Sequence, residues 1–146
     1  MATISAPSSA SVLSATPHSV VRQTHALLRV LFTAVPIVAG ADKFTHFLTD
    51  WEGYLNPLIL RLVPVTAPTF MHGVGVIEIV AGLLVAAKPR LGGWVVTAWL
   101  LAIAGQLLIG GLFLDVAVRD IVIALGGALT LARLTPLVLR DADPTQ

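Results

Sequence analysis

Apolar residues are arranged along this chain in four long blocks, separated by shorter stretches that hold most of the polar residues. A helix needs about 20 apolar residues to cross a hydrocarbon core of about 30 Å, and each block is close to that length. Thr24 is expected to cap the first helix, Pro36 to bend it and Pro136 to end the last one. The pattern predicts four membrane-spanning helices, at about residues 26–47, 68–87, 91–113 and 116–137.

The connections between the blocks determine how the helices run. "KPR" at residues 88–90 and "LD" at residues 114–115 are so short that the helices they join must be antiparallel neighbours. The long connection after the first block carries Trp51 and Tyr54, which favour the headgroup layer, and then the apolar stretch "LNPLILRLV". The predicted fold is an all-α membrane protein, an antiparallel four-transmembrane-helix bundle with an interfacial segment between helices 1 and 2.

The chain divides into three regions. Residues 1–23 are rich in Ser and Ala, contain no acidic residue and lack the apolar core of a signal peptide, so we expect a mobile or surface-lying tail. Residues 24–138 form the transmembrane domain. Residues 139–146 form a polar C-terminal tail.

Composition agrees with a lipid environment. Hydrophobic residues make up 56% of the chain and charged residues only 12%, and the mean hydropathy is +0.89. Soluble domains carry about 25% charged residues. A net charge of +1, with no basic patch interleaved with aromatic residues, gives no sign of a nucleic-acid partner. The chain has no cysteine, which excludes disulfides, thiol–disulfide catalysis and cysteine-bound iron–sulfur clusters. No metal-ligand spacing is present either.

The basic residues predict an orientation. Lys and Arg are expected to be more frequent on the cytoplasmic side of a membrane protein. Six of them lie on the side of both termini and the 88–90 turn, namely Arg22, Arg29, Lys88, Arg90, Arg133 and Arg140. Three lie on the opposite side, namely Lys43, Arg61 and Arg119. Both termini are therefore predicted to be cytoplasmic.

Glu78 stands near the middle of the second block. A charge near the bilayer centre costs about 2.5 kcal/mol or more, so it normally faces the bundle interior and has a partner. Gly75 and Gly82 share its helical face, which indicates that this face contacts another helix. Two roles stay open: Glu78 is half of a structural ion pair or hydrogen bond, or it carries a proton or binds a ligand.

The other polar residues near the membrane centre come from the predicted outer half of the bundle. At about 1.5 Å per residue, Lys43 and Gln106 should lie within roughly 10 Å of the midplane. We predict an outward-facing polar pocket built from Glu78, Lys43, His72, Gln106, Arg119 and Asp120. Such groups in an apolar slot could hold the head group of a quinone. A b-type haem between His46 and His72 is an alternative.

Several short motifs together resemble a known family. "LLRV" with Arg29 opens the first span, "AGADKF" with Lys43 lies at its far end, and "GVIEIVAGLL" contains Glu78. "PRLGG" and "RDIVIALGGALTLARL" follow. Over about residues 25–136 the chain resembles the DoxX family of small bacterial inner-membrane proteins. The resemblance implies a four-helix bundle in the cytoplasmic membrane, with Arg29, Lys43 and Glu78 as family-like polar positions. Its relatives include the membrane subunit of a thiosulfate:quinone oxidoreductase and membrane partners of soluble redox enzymes.

Three functional hypotheses follow. The first is a membrane subunit or partner of a quinone-linked redox or respiratory assembly, with quinone as the candidate cofactor and a soluble or membrane redox enzyme subunit as the candidate partner. The second is a proton-linked small carrier or pore that uses Glu78. The third is a structural scaffold that binds another membrane chain through its glycine-rich faces. The sequence assigns no catalytic residue and leaves open whether the protein is an enzyme.

Overall fold

The computed structural model describes residues 17–142, and within that range every regular element is helical. A 3₁₀ turn lies at Glu52–Tyr54, and a π-helical segment at Ala124–Ala128 joins the last two α-helices without a break. The helices are α1 (Pro17–Asp42), α2 (Pro57–Leu62), α3 (Ala67–Ala87), α4 (Pro89–Gly110), α5 (Leu114–Ile123) and α6 (Leu129–Ala142).

Four helices are long and apolar enough to cross a membrane: α1, α3, α4 and the continuous helix Leu114–Asp141 formed by α5 and α6. Large apolar side chains cover much of their outer surface, among them Val30, Val80 and Val122. Lipid solvates such a surface, whereas water does not. The predicted four-helix bundle is confirmed, and the protein is a multi-pass membrane protein by the length and composition of these helices.

The ends of the first and last helices differ from the prediction. The first helix begins at Pro17 and ends at Asp42 rather than at residue 47, so residues 17–23 of the predicted tail are helical. Thr24 lies inside this helix and does not cap it. The last helix continues through Pro136 to Ala142. A proline removes one hydrogen bond, but unwinding the chain in a membrane would leave several backbone groups without water, so continuing the helix is less costly. The predicted tails otherwise lie outside the described residues, at 1–16 and 143–146.

Glycines allow α1 and α3 to pack closely. A Cβ atom on Gly75 would lie 2.6 Å from the carbonyl oxygen of Gly40, and one on Gly82 would lie 2.7 Å from the carbonyl oxygen of Thr33. Cβ atoms do not approach other atoms this closely, so α1 can pack in this position only because these residues lack side chains. The contact brings the far end of α1 against the middle of α3.

A single residue, Lys88, separates α3 from α4 and confirms the predicted antiparallel hairpin. Gly92 lies directly against the backbone of Val85, where a Cβ would be 2.5 Å from the Val85 Cα atom. The main apolar core is in this half of the bundle and consists of Ala81, Val85, Val96, Ala128 and Leu131. At the opposite end, α4 ends at Gly110; the next residue, Gly111, has a left-handed φ of +66°, and the chain turns into α5.

Candidate functional site

A cavity of about 570 Å³ lies at the end of the bundle that carries the 43–66 connection, which we call the loop end. Residues from α1, α3, α4, α5 and this connection line it. Its walls are mainly apolar, with residues such as Val74, Leu100 and Ile103. Five of the six residues of the predicted pocket line this cavity, namely Lys43, Glu78, Gln106, Arg119 and Asp120.

A buried ion pair joins α1 to α3 at the cavity wall. The ammonium Nζ of Lys43 donates to Oε2 of Glu78 at 2.6 Å, and the two side chains are 4% and 11% exposed. Lys43 follows Gly40 by three residues, and Glu78 follows Gly75 by three. Because α1 and α3 are antiparallel, Lys43 lies beside Gly75 and Glu78 lies beside Gly40, on the two sides of the close glycine contact. The long side chains of Lys43 and Glu78 reach toward each other across this contact. Glu78 thus has a cationic partner inside the bundle.

Trp51 from the connection lies above this ion pair. The Lys43 ammonium is 3.7 Å from the centre of the Trp51 ring, a cation–π contact. The indole N–H of Trp51 donates to Oδ2 of Asp42 at 2.8 Å. Both contacts hold the ring in one place, so that Lys43 is enclosed by Glu78 on one side and an aromatic face on another.

Asp42 organises the start of the connection. Its carboxylate accepts hydrogen bonds from the hydroxyl of Thr45 at 2.9 Å and from the backbone N–H groups of Phe47 at 2.9 Å and Leu48 at 3.0 Å, in addition to Trp51. The side chain is buried, and these donors replace the water it has lost. The sequence pattern did not single out Asp42, although aspartate side chains commonly accept hydrogen bonds from backbone N–H groups close by in the chain.

Replacing Asp42 with alanine should loosen the first part of the connection. The change leaves the N–H groups of Phe47 and Leu48 without their acceptor, and we expect their amide hydrogen exchange to become at least about tenfold faster, which corresponds to about 1.4 kcal/mol of lost protection. Hydrogen–deuterium exchange with mass spectrometry measures this. Asp50→Ala, an exposed aspartate in the same connection, is the control and should leave these two amides unchanged. Equal effects of the two variants would contradict the assigned role of Asp42.

Gln106 attaches the connection to α4. Its side-chain carbonyl accepts from the backbone N–H of Asn56 at 3.1 Å, and its amide NH₂ donates to the carbonyl oxygen of Tyr54 at 3.1 Å. The side chain of Asn56 in turn donates to the backbone carbonyl of Gln106 at 3.1 Å. Gln106 lines the cavity, but both ends of its amide hold the backbone of the connection.

The remaining predicted residues take different positions. Arg119 is exposed and Asp120 partly buried, and both line the cavity from α5. His72 lies outside the cavity lining and stacks on Phe44, with ring centres 4.8 Å apart. His46 bonds to Glu52 at 3.2 Å. Within residues 17–142 no cluster of three or more His, Cys, Asp or Glu residues is arranged to hold a metal ion.

Arg29 does not join the other two family-like positions. Its guanidinium donates to the backbone carbonyl of Ala86, in the last turn of α3, at the end of the bundle opposite to Lys43 and Glu78. The last carbonyl groups of a helix have no partner within the helix, and a cationic side chain near them is favourable. Arg29 thus links α1 to the end of α3.

One buried polar group of the cavity residues lacks a partner. The indole N–H of Trp99, on α4, is buried and makes no hydrogen bond with any of the residues that the structure describes. Buried donors in proteins are nearly always satisfied, and an unsatisfied one costs about 1–3 kcal/mol. Trp99 is also one of the residues that line the loop-end cavity.

Comparison with known proteins does not extend this picture: no family model, no curated protein and no solved structure matches the chain.

Proposed function

We propose that this chain is a DoxX-like protein of the bacterial inner membrane whose loop-end cavity binds the head group of a quinone, and that it acts as a membrane subunit or partner of a redox or respiratory enzyme. The unsatisfied indole N–H of Trp99 carries the proposal, because Trp99 is one of the residues that line this mainly apolar cavity and its buried donor has no partner among the described residues. We also propose that both termini, with the basic residues near them, lie on the cytoplasmic side of the membrane.

The residues of the cavity suit a quinone. The volume of about 570 Å³ lies within the usual range of about 300–1,000 Å³ for small-molecule sites. The two quinone carbonyl oxygens need hydrogen-bond donors, which Trp99 and the ammonium of Lys43 supply; Lys43 has three N–H groups, and one of them bonds to Glu78. Apolar residues such as Val74 and Ile103 suit the isoprenoid tail. A bound quinone would supply two-electron redox chemistry, and the protein would hold and orient it.

The structure gives less support to a carrier or pore. The apolar core of Ala81, Val85, Val96, Ala128 and Leu131 lies between the cavity and the opposite end of the bundle. A proton path through Glu78 would need polar groups or water on both sides of the carboxylate. The Lys43–Glu78 pair and the polar lining lie on one side of this core. These observations favour binding over conduction.

A purely structural scaffold also has less support. In that hypothesis the glycine-rich faces bind another membrane chain. Gly40, Gly75, Gly82, Gly92 and Gly93 instead contact neighbouring helices of the same chain. Four glycines, Gly73, Gly105, Gly111 and Gly126, have open space at the position of a Cβ atom. Most of the glycines that allow close packing therefore contact helices of this same chain and are not free to bind another chain.

Trp99→Phe should weaken quinone binding about tenfold, because the loss of one hydrogen bond to a buried donor is worth about 1.4 kcal/mol. The measurement is equilibrium dialysis of a short-chain ubiquinone analogue against the full chain in a neutral detergent. Trp94→Phe is the control, since it makes the same change on the same helix outside the loop-end cavity, and it should bind the analogue like the wild type. An absence of saturable binding to the wild type, or equal affinities of the two variants, would contradict the proposal.

The redox-partner part of the proposal has its own test. Purification in a mild detergent followed by mass spectrometry should recover a redox enzyme subunit with the wild-type chain. If the chain keeps its quinone during this purification but no redox enzyme subunit is recovered with it, the function is limited to quinone binding.

A further inference from the structure

A second cavity, of about 890 Å³, lies at the opposite end of the bundle, near the α3–α4 turn, which we call the basic end. Residues from α1, the turn, the start of α4 and α6 line it. Four of the lining side chains are permanently cationic and exposed, namely Arg22, Arg29, Lys88 and Arg90. No acidic residue is among those that line it.

The four cationic side chains come from two parts of the fold, α1 and the start of α4. Arg22 and Arg29 are seven residues apart on α1, which places them two turns apart on one face. Lys88 and Arg90 flank Pro89 at the start of α4, where the first backbone N–H groups of the helix have no carbonyl partner within the helix. Since the dipole of α4 also favours negative charge at this point, the side chains and the helix act in the same direction.

The charge balance at this end favours an anion. The described residues near the basic end include six Lys and Arg residues and one acidic residue, Asp141, which pairs with His18 at 2.9 Å. Six of the eight acidic residues of the chain lie toward the loop end instead, namely Asp42, Asp50, Glu52, Glu78, Asp115 and Asp120. Among the residues that the structure describes, none of the four cations of the cavity forms a salt bridge with a carboxylate.

The cavity also has an apolar side. Ala26, Leu91, Val138 and Leu139 line it together with the ring of Trp94, a residue type that favours the headgroup layer of a membrane. The buried imidazole of His25 bonds to the hydroxyl of Thr135 at 3.1 Å within the same cavity wall, and so holds α1 against α6. A ligand that fits both sides has an anionic head and an apolar tail.

We propose that the basic-end cavity is a binding site for the phosphate headgroup of an anionic membrane lipid, with Arg22, Arg29, Lys88 and Arg90 around the phosphate and an acyl chain along Leu91 and Leu139. Arginine binds phosphate through paired N–H groups, and lysine binds it as a point charge. Basic pockets between transmembrane helices are a general means of holding such lipids. The site does not depend on the proposed quinone site, which lies at the other end of the bundle.

The test is native mass spectrometry of the full chain after removal of bound lipid, titrated with phosphatidylglycerol or phosphatidylcholine in neutral detergent. We expect one phosphatidylglycerol per chain, with at least about a tenfold preference over phosphatidylcholine. The double variant Arg22→Gln/Arg90→Gln should lose about tenfold in affinity, or about 1.4 kcal/mol. The control Arg133→Gln/Arg140→Gln removes two exposed cations from the same end, outside the cavity lining, and should change the affinity less than about twofold.

Each other outcome overturns the proposal. Equal losses in the two double variants would mean that the basic end attracts anionic lipid by its total charge and has no site. Equal binding of the two lipids would remove the role of the anionic headgroup. Displacement of phosphatidylglycerol by millimolar inorganic phosphate would assign the cavity to free phosphate rather than to a lipid. Circular dichroism of both double variants should match the wild type, since all four substituted side chains are exposed.

Discussion

Replacing Lys43 with methionine should lower the free energy of unfolding by about 3 kcal/mol, because the change leaves the Glu78 carboxylate buried without its cation. The Glu78 side chain is only 11% exposed, so water can replace little of what it loses. The methionine keeps most of the volume of the lysine and limits the effect of an empty space. The measurement is unfolding of the purified chain in a fixed detergent, followed by circular dichroism. Glu78→Gln should destabilise the chain as well, because Lys43 then loses the carboxylate.

The double variant Lys43→Met/Glu78→Gln separates the ion pair from the space it fills. Neither charge is left alone, so we expect the double variant to be more stable than Lys43→Met and the coupling energy between the sites to be about 2 kcal/mol. Lys88→Met, at an exposed lysine, is the control and should have an effect within about 0.5 kcal/mol. Additive effects of the two single substitutions would show that the pair contributes little to stability.

The same double variant also addresses the role of Glu78. A structural ion pair can be replaced by neutral groups without loss of function, whereas a pair that binds a ligand cannot. A folded Lys43→Met/Glu78→Gln chain that binds the quinone analogue like the wild type would make the pair structural and leave Trp99 as the main polar contact. Weaker binding by the folded variant would assign Lys43 to the site.

Much of the fold can be predicted from the sequence because a membrane sets the length of each spanning helix. Helix number, the antiparallel hairpins and the depth of each polar residue depend on block lengths and on the rise of about 1.5 Å per residue. Depth alone placed Lys43 and Glu78 in one predicted pocket, and in the structure these two residues form an ion pair. It also grouped Gln106, Arg119 and Asp120 near the same end, where all three line one cavity.

Direction around the helix axis is harder to predict than depth. His72 has a suitable depth for the pocket, but it is half-buried and stacks on Phe44, outside the cavity lining. Gln106 has the expected place, yet its amide bonds to the connection, whose path could not be derived from "LNPLILRLV". The Trp99 N–H was missed because the residue type alone indicates packing as readily as a polar contact. These positions depend on which helices meet, and that in turn depends on a few close glycine contacts.

The contact between Gly40 and Gly75 can be tested with two alanines on one helix. Gly75→Ala should lower the free energy of unfolding by about 2 kcal/mol: a Cβ there would lie 2.6 Å from the Gly40 carbonyl oxygen, and the overpacking cost of about 1–3 kcal/mol outweighs the gain in helix propensity of up to about 1 kcal/mol. Gly73→Ala meets nothing within 4 Å and should raise the free energy of unfolding by up to about 1 kcal/mol.

The opposite signs of these two effects are the decisive result, because the same substitution is made two residues apart in α3. In Gly75→Ala, α1 must move away from α3, and Lys43 and Glu78 move apart with it, so the variant should also lose most of the coupling energy between those two residues. Unfolding of Gly73→Ala and Gly75→Ala in detergent measures the two changes in stability. Adding Lys43→Met, Glu78→Gln and the pair of them to each alanine variant measures the coupling energy between Lys43 and Glu78. A Gly75→Ala chain as stable as Gly73→Ala, with the ion-pair coupling intact, would mean that the glycine contact does not position the buried pair.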